Sequence, residues 1–101
     1  MLAYSSKDNS WKNKDTDKLF EAILKLKTVA ECEDFFRDLL TLAELKEFAN
    51  RFKMARMLAY TRKPYWRIAK DAHTTTATVT RVAHWLKHGM GGYRLILNRL
   101  R

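Results

Sequence analysis

The stretch from Tyr65 to Leu86, YWRIAKDAHTTTATVTRVAHWL, constrains the chain more than any other, because its apolar residues recur at the spacing of two short helices joined by a tight turn. In a helix-turn-helix the facing sides must be apolar at fixed offsets, and the residue nearest the crossing must be small. Ile68, Ala69 and Ala72 supply the inner side of the first helix, with Ala69 as the small residue. Val79, Val82, Ala83 and Leu86 supply that of the second. Four positions after Ala69, where glycine commonly takes a left-handed backbone, stands His73, one of the few other residue types enriched in that conformation.

A helical period anchored on Val79 turns Ala77, Thr80, Arg81, His84 and His88 away from the core, with Thr76 and Thr78 at the flanks. Small, hydroxylic and cationic groups of this kind suit the major groove of DNA. Hydroxyls bond base edges or phosphates, methyl groups touch thymine, and arginine forks onto guanine.

The charge distribution points the same way. Residues 1–50 hold eight Lys/Arg against ten Asp/Glu, whereas residues 51–101 hold twelve against the single carboxylate Asp71. A half of net charge +11 (12 − 1) implies a polyanionic partner, and its helix-turn-helix favours nucleic acid over an anionic membrane. Phosphate contacts are expected from Arg62, Lys63, Arg67 and Lys70, with Trp66 beside them, either flanking the backbone or packing on the long helix. Thr75, Thr76, Ala77, Thr78, Thr80, Arg81 and His84 form the expected DNA-facing part of the second helix and its start.

The chain of 101 residues is long enough for one domain with a small core. One proline and three glycines leave too little punctuation for a many-turned β domain, so the expected class is all-α, with about six short helices. The single cysteine, Cys32, excludes an intrachain disulfide and a zinc site of the cysteine type. His84 and His88 have a spacing that can clamp a metal, yet lack a third ligand nearby; no metal or other cofactor is expected. With no apolar signal core and no stretch long enough to span a membrane, the expected location is the cytoplasm.

Residues 1–14 show no period and read as a flexible arm ahead of a domain over 15–101. A first helix is expected from Asp15 to about Lys27, with Leu19, Phe20, Ile23, Leu24 and Leu26 on its apolar side. Two capping boxes follow, Thr28-Val-Ala-Glu31 and Thr41-Leu-Ala-Glu44, each starting a helix. The second helix carries Val29, Cys32, Phe35, Phe36, Leu39 and Leu40 on one side. The longest, about Leu42 to Tyr60, is expected to turn Leu45, Phe48, Ala49, Phe52, Ala55 and Ala59 inward, with Met54, Met57 and Leu58 widening the stripe. Pro64 is expected at the first position of the next helix. After the reader, which spans about 65–88, Gly89-Met-Gly-Gly92 reads as a stop with a left-handed cap, and Tyr93 to Arg101 as a closing helix. These apolar faces exceed what one small core covers, so a homodimer is expected.

Three pieces carry a family resemblance: Thr75-Thr76-Ala77-Thr78-Val79-Thr80-Arg81-Val82, the segment Asn50 to Leu58, NRFKMARML, and the Gly89 to Tyr93 region. Over about residues 15–101 the chain resembles the Trp repressor superfamily and, within it, the TrpR-related YerC/YecD family. The resemblance implies a transcription factor that binds double-stranded DNA as an interlocked homodimer, and a repressor or related regulator is the leading expectation. A basic protein-interaction or RNA-binding module acting on the transcription machinery is the alternative. An enzyme is not expected, since no phosphate loop, nucleophile-histidine pair or paired carboxylates are present in the basic half.

The resemblance also locates an effector pocket. Thr41, Arg51 and Arg81 match the threonine and two arginines that surround the family's corepressor. Val82 stands where the family has a glycine that leaves room for the indole, and Trp85 where it has a serine. A branched side chain and a second indole argue against L-tryptophan as the ligand, because a filled apolar slot rejects added volume. The effector, if one exists, is not named by the sequence.

Overall fold

A computed structural model describes residues 8–101, which form α1 (Lys14–Ile23), α2 (Val29–Leu39), α3 (Leu42–Tyr60), α4 (Tyr65–Asp71), α5 (Thr76–His88) and α6 (Gly92–Leu100), with no strand among the described residues. The expected all-α class holds. Residues 1–7 of the anticipated arm lie outside the described residues. By its internal contacts the chain divides into two compact units, one ending at Leu45 and one spanning Lys46–Arg101.

In the first unit, local side-chain chemistry sets the helix starts. Asn13 caps α1: its side-chain oxygen accepts from the Asp15 and Thr16 amides at 2.9 and 3.0 Å, while the Thr16 hydroxyl accepts from the Asn13 amide at 3.0 Å. This starts the helix one residue before Asp15. It also ends at Ile23, short of the expected Lys27, because the Lys25 and Leu26 amides bond to carbonyls three residues back and tighten the last turn. At α2 the Thr28 hydroxyl accepts from the Glu31 amide at 3.1 Å, but the Glu31 carboxylate takes the Lys27 amide at 2.9 Å, one residue earlier than a capping box predicts. The Thr41 box is fully reciprocal. Thr41 accepts from the Glu44 amide at 3.1 Å and donates its own amide to the Glu44 carboxylate at 2.9 Å. That amide holds the Glu44 carboxyl below its usual range.

Neither α1 nor α2 contains a buried residue. Phe35 and Phe36 meet edge to face at 5.5 Å between centroids, and Cys32 is half-buried. Leu24 and Val29 are 83% and 77% exposed, so within one chain this unit has amphipathic helices but no closed core.

The second unit has one. Met54 and Ala55 of α3, Ile68, Ala69 and Ala72 of α4 and its cap, Val79 and Val82 of α5, and Leu97 of α6 form a single cluster. Ile68 and Val79 are its largest fully buried side chains, each worth about 1.5–3 kcal/mol relative to exposure. α4 packs on α5, and α5 on α6. Every expected inner-face residue of the two reader helices is buried except Leu86, which is half-buried against the cluster. The expectation for α3 needs correcting: Phe48 and Ala49 are exposed, since the core engages that helix only from Phe52 onward.

Backbone geometry fixes the corners. Pro64 is the N-cap of α4, with extended ψ of 159°, and not its first helical residue. The residue before a helix carries this extended conformation, and proline adopts it freely. His73 is left-handed at φ 53°, as its position demands. The Thr74 amide bonds to the Ala69 carbonyl at 2.9 Å and the His73 amide to that of Lys70 at 3.2 Å, which is the paired bonding of a Schellman cap. After α5 the left-handed residue is Gly91, at φ 85°, and it serves as the N-cap of α6; the cap of α5 itself is Gly89 with a negative φ. Gly89 is required for a different reason. A Cβ there would collide with the Trp85 carbonyl and press on its ring.

Candidate nucleic-acid interface

The turn between α4 and α5 is held so that α5 begins in the open. Thr75 is its N-cap, its hydroxyl accepting from the Thr78 amide at 3.3 Å and lying 3.2 Å from the Thr78 hydroxyl. Beyond the cap, Thr76, Ala77, Thr80 and Arg81 are exposed, while Thr78 and His84 are half-buried. The Thr80 hydroxyl donates to the Thr76 carbonyl at 2.9 Å, so toward solvent it offers a methyl group and an acceptor oxygen. His84 stacks obliquely on His88 at 5.1 Å and edge-on to Trp85 at 6.1 Å.

Arg62 and Lys63 lie in the exposed link, and Trp66, Arg67 and Lys70 on the exposed side of α4. Trp66 is 60% exposed and is not among the residues packed on the core cluster. Two of the expected phosphate-contacting cations are already engaged. Asp71 takes the Lys63 ammonium at 3.1 Å and the Arg67 guanidinium at 3.3 Å. The Lys63 hydrogen bond, with the charges of both cations, holds the Asp71 carboxyl below its usual range against the opposing effect of desolvation.

The sequence reading missed three residues that brace this surface from a distance. The Asn50 side-chain amide donates to the Ala72 carbonyl at 2.9 Å, and the Lys53 ammonium to the Asp71 carbonyl at 3.1 Å, both from α3. They satisfy carbonyls at the end of α4 and tie the reader to the long helix. At the far end of α5, the Arg94 guanidinium donates to the Leu86 and Lys87 carbonyls, each at 3.1 Å. No local sequence signal marks these bonds, because the Asn50 and Lys53 contacts span 22 and 18 residues of chain. The Arg67–Asp71 pairing, at four residues' spacing, was readable.

The exposed helix start, the cationic link and the buried two-helix crossing together form a helix-turn-helix. The family model for "Trp repressor protein" matches residues 14–101. The chain belongs to that family. It is 38% identical to the uncharacterized protein YerC of Bacillus subtilis (strain 168) over 90 residues, covering 89% of this chain and 86% of its relative. A TrpR-like protein from Eubacterium eligens ATCC 27750 has the same fold, with a TM-score of 0.86, 38% identity and coverage of 92% and 95% of the two chains. A protein from Staphylococcus aureus, described provisionally as a Trp repressor, matches with a TM-score of 0.85, 33% identity and 95% coverage of each. Membership in the Trp repressor family supports DNA binding in transcription regulation as the general role.

Of the positions that the resemblance assigns to an effector pocket, Thr41 and Arg51 make bonds within the chain. Thr41 caps α3. Arg51 pairs with Glu47 at 2.9 Å, lies 5.6 Å from the Phe48 ring centroid, and opposes the upward push of burial on the Tyr93 phenol. Val82 is buried in the core cluster, Trp85 is half-buried, and Arg81 is exposed on α5. Among the described residues no three His, Cys, Asp or Glu side chains group as metal ligands, and no helix is long and apolar enough to cross a membrane.

Proposed function

We propose that this member of the Trp repressor family is a sequence-specific DNA-binding regulator, acting as a repressor and as a homodimer, that reads the major groove through α5. The observation that carries this reading is the combination of an exposed Thr76, Ala77, Thr80 and Arg81 on a helix whose opposite side is buried, in a half-chain of net charge +11 (12 − 1). A rigid helix with small and cationic groups outward meets the steric and hydrogen-bonding needs of base readout. The cations of the link and of α4 supply the phosphate contacts that position it. Two-fold assembly brings two readers onto one operator and covers the apolar surface that α1, α2 and the start of α3 leave open. No corepressor is assigned, and L-tryptophan is left out of the proposal because Val82 stands where the family has a glycine and Trp85 where it has a serine.

Salt titration with alanine variants tests it. Thr80→Ala and Arg81→Ala should each cost about 1–3 kcal/mol on a preferred sequence and relax the choice at one base position. Lys63→Ala and Arg67→Ala should weaken binding to all sequences alike and reduce the log–log salt slope by about one per phosphate lost. Uniform weakening in all four variants, with no change of preference, would remove α5 as the reading element.

A further inference from the structure

Beside the reader, and separate from the family's effector positions, the second unit contains an open groove of about 990 Å³. It runs between the second half of α3, the link and the end of α4. Its cationic lining is Lys53 and Arg56 from α3, Lys63 from the link and Lys70 from α4, with Met57 and Tyr60 as an apolar patch. No residue of α5 lines it, and none of Thr41, Arg51, Arg81, Val82 and Trp85 does.

We propose that this groove is a binding site for a small organic polyanion, of the phosphorylated-metabolite class, and that its occupant weakens DNA binding. The proposal's regulatory half rests on the DNA-binding function above; its binding half does not.

Charge is the first argument. Four cations from three elements converge on the groove, and the one carboxylate in its wall, Asp71, is already held by Lys63 and Arg67. A groove of one sign concentrates ions of the other. Donor capacity is the second. An ammonium has three donors, and among the described residues Lys53 makes one hydrogen bond, to the Asp71 carbonyl, which leaves it two. Arg56 is exposed and lines the groove, its guanidinium carbon 5.4 Å from the Phe52 ring centroid, and a guanidinium suits bidentate binding of an oxyanion. Size is the third. The volume lies at the upper end of the range for small-molecule sites, about 300–1,000 Å³, and far exceeds what one simple inorganic anion fills. An organic body against Met57 and Tyr60 accounts for the rest. Because Lys63 and Lys70 also belong to the proposed phosphate-contacting set, an anion bound between them neutralises charge that DNA needs.

The test uses the full chain, with inorganic pyrophosphate as the probe and citrate as a carboxylate arm, at constant ionic strength near 0.15 M. Isothermal titration without DNA should give saturable binding of one pyrophosphate per chain, with Kd below about 1 mM. Arg56→Gln, at an exposed position outside the DNA-contacting set, should weaken it at least tenfold. Lys53→Gln should do the same, with circular dichroism verifying that the end of α4 is intact. Citrate binding more tightly than pyrophosphate at the same residues would overturn the phosphate assignment. Pyrophosphate should then lower DNA affinity several-fold in the unaltered protein and not in Arg56→Gln. Absence of saturable binding up to about 5 mM, or binding unchanged in both variants, would overturn the site. So would a lower DNA affinity with a shallower salt slope in Arg56→Gln alone, which would make the groove part of the DNA footprint. The titration without DNA keeps failure of the site distinct from failure of the DNA-binding function.

Discussion

Asp71 is the only carboxylate in residues 51–101, and it sits where it binds two of the cations that would otherwise face phosphate. Phosphate must therefore compete with it for Lys63 and Arg67. Replacing it by asparagine removes a repulsive charge and frees both cations, so Asp71→Asn should raise affinity for all DNA sequences roughly two- to fivefold, the scale of one unit charge acting through water. Its melting temperature at pH 7 should change little, because both pairs are solvent-screened. The acid side gives a second readout. A carboxyl whose folded pKa is depressed stabilises the fold above its ordinary value of 3.8 and loses that contribution as pH falls through the lower folded value. The small difference in melting temperature between the unaltered protein and Asp71→Asn at pH 7 should therefore vanish as pH falls through that acid range. An unchanged DNA affinity in Asp71→Asn would show that these cations do not meet phosphate. The same pairing affects any reading of Lys63→Ala: the variant loses a contact and also exposes the carboxylate.

At the scale of elements, Thr41 separates a structural role from a ligand-binding one. Its hydroxyl and amide complete a reciprocal cap with Glu44 at the start of α3, so Thr41→Ala should destabilise the protein by about 0.5–2 kcal/mol. Saturating L-tryptophan should leave the melting curves of both proteins unmoved. A ligand of the folded state at a hundredfold over its Kd would add about 2.7 kcal/mol, and a shift of that size, abolished in Thr41→Ala, would restore the corepressor site. The elements themselves were legible in sequence wherever the signal was local. Thr28 and Thr41 each cap a helix start, His73 takes the left-handed turn, and Ile68, Ala69, Ala72, Val79, Val82 and Ala83 all lie in the interior. Bonds between elements were not legible. Asn50, Lys53 and Arg94 are ordinary polar helix residues until folding brings helix-end carbonyls within their reach. Phe48 and Ala49 show the complementary failure, since helical period marks an apolar face without saying whether the same chain covers it.

For the whole molecule, the contrast between the two units is the main energetic fact. Lys46–Arg101 closes a core, whereas α1 and α2 bury nothing fully and leave Phe20 and Leu24 48% and 83% exposed. Leu95, Ile96 and Leu100 of α6 are exposed as well. Apolar surface on this scale is uncommon on a stable monomer of this size. Sedimentation at micromolar concentration should accordingly give about twice the chain mass of 11.9 kDa, with a melting temperature that rises with protein concentration. A concentration-independent monomer would contradict the homodimer. Sequence-specific reading by α5 is tested most directly by selecting bound DNA from a random pool with the unaltered protein and with the Thr80→Ala, Arg81→Ala double variant. The expected result is a two-fold symmetric consensus, with half-sites about 10 bp or a multiple apart, whose preferences at two or more positions relax in the variant. No enrichment above the random pool, or the same consensus from both proteins, would contradict it.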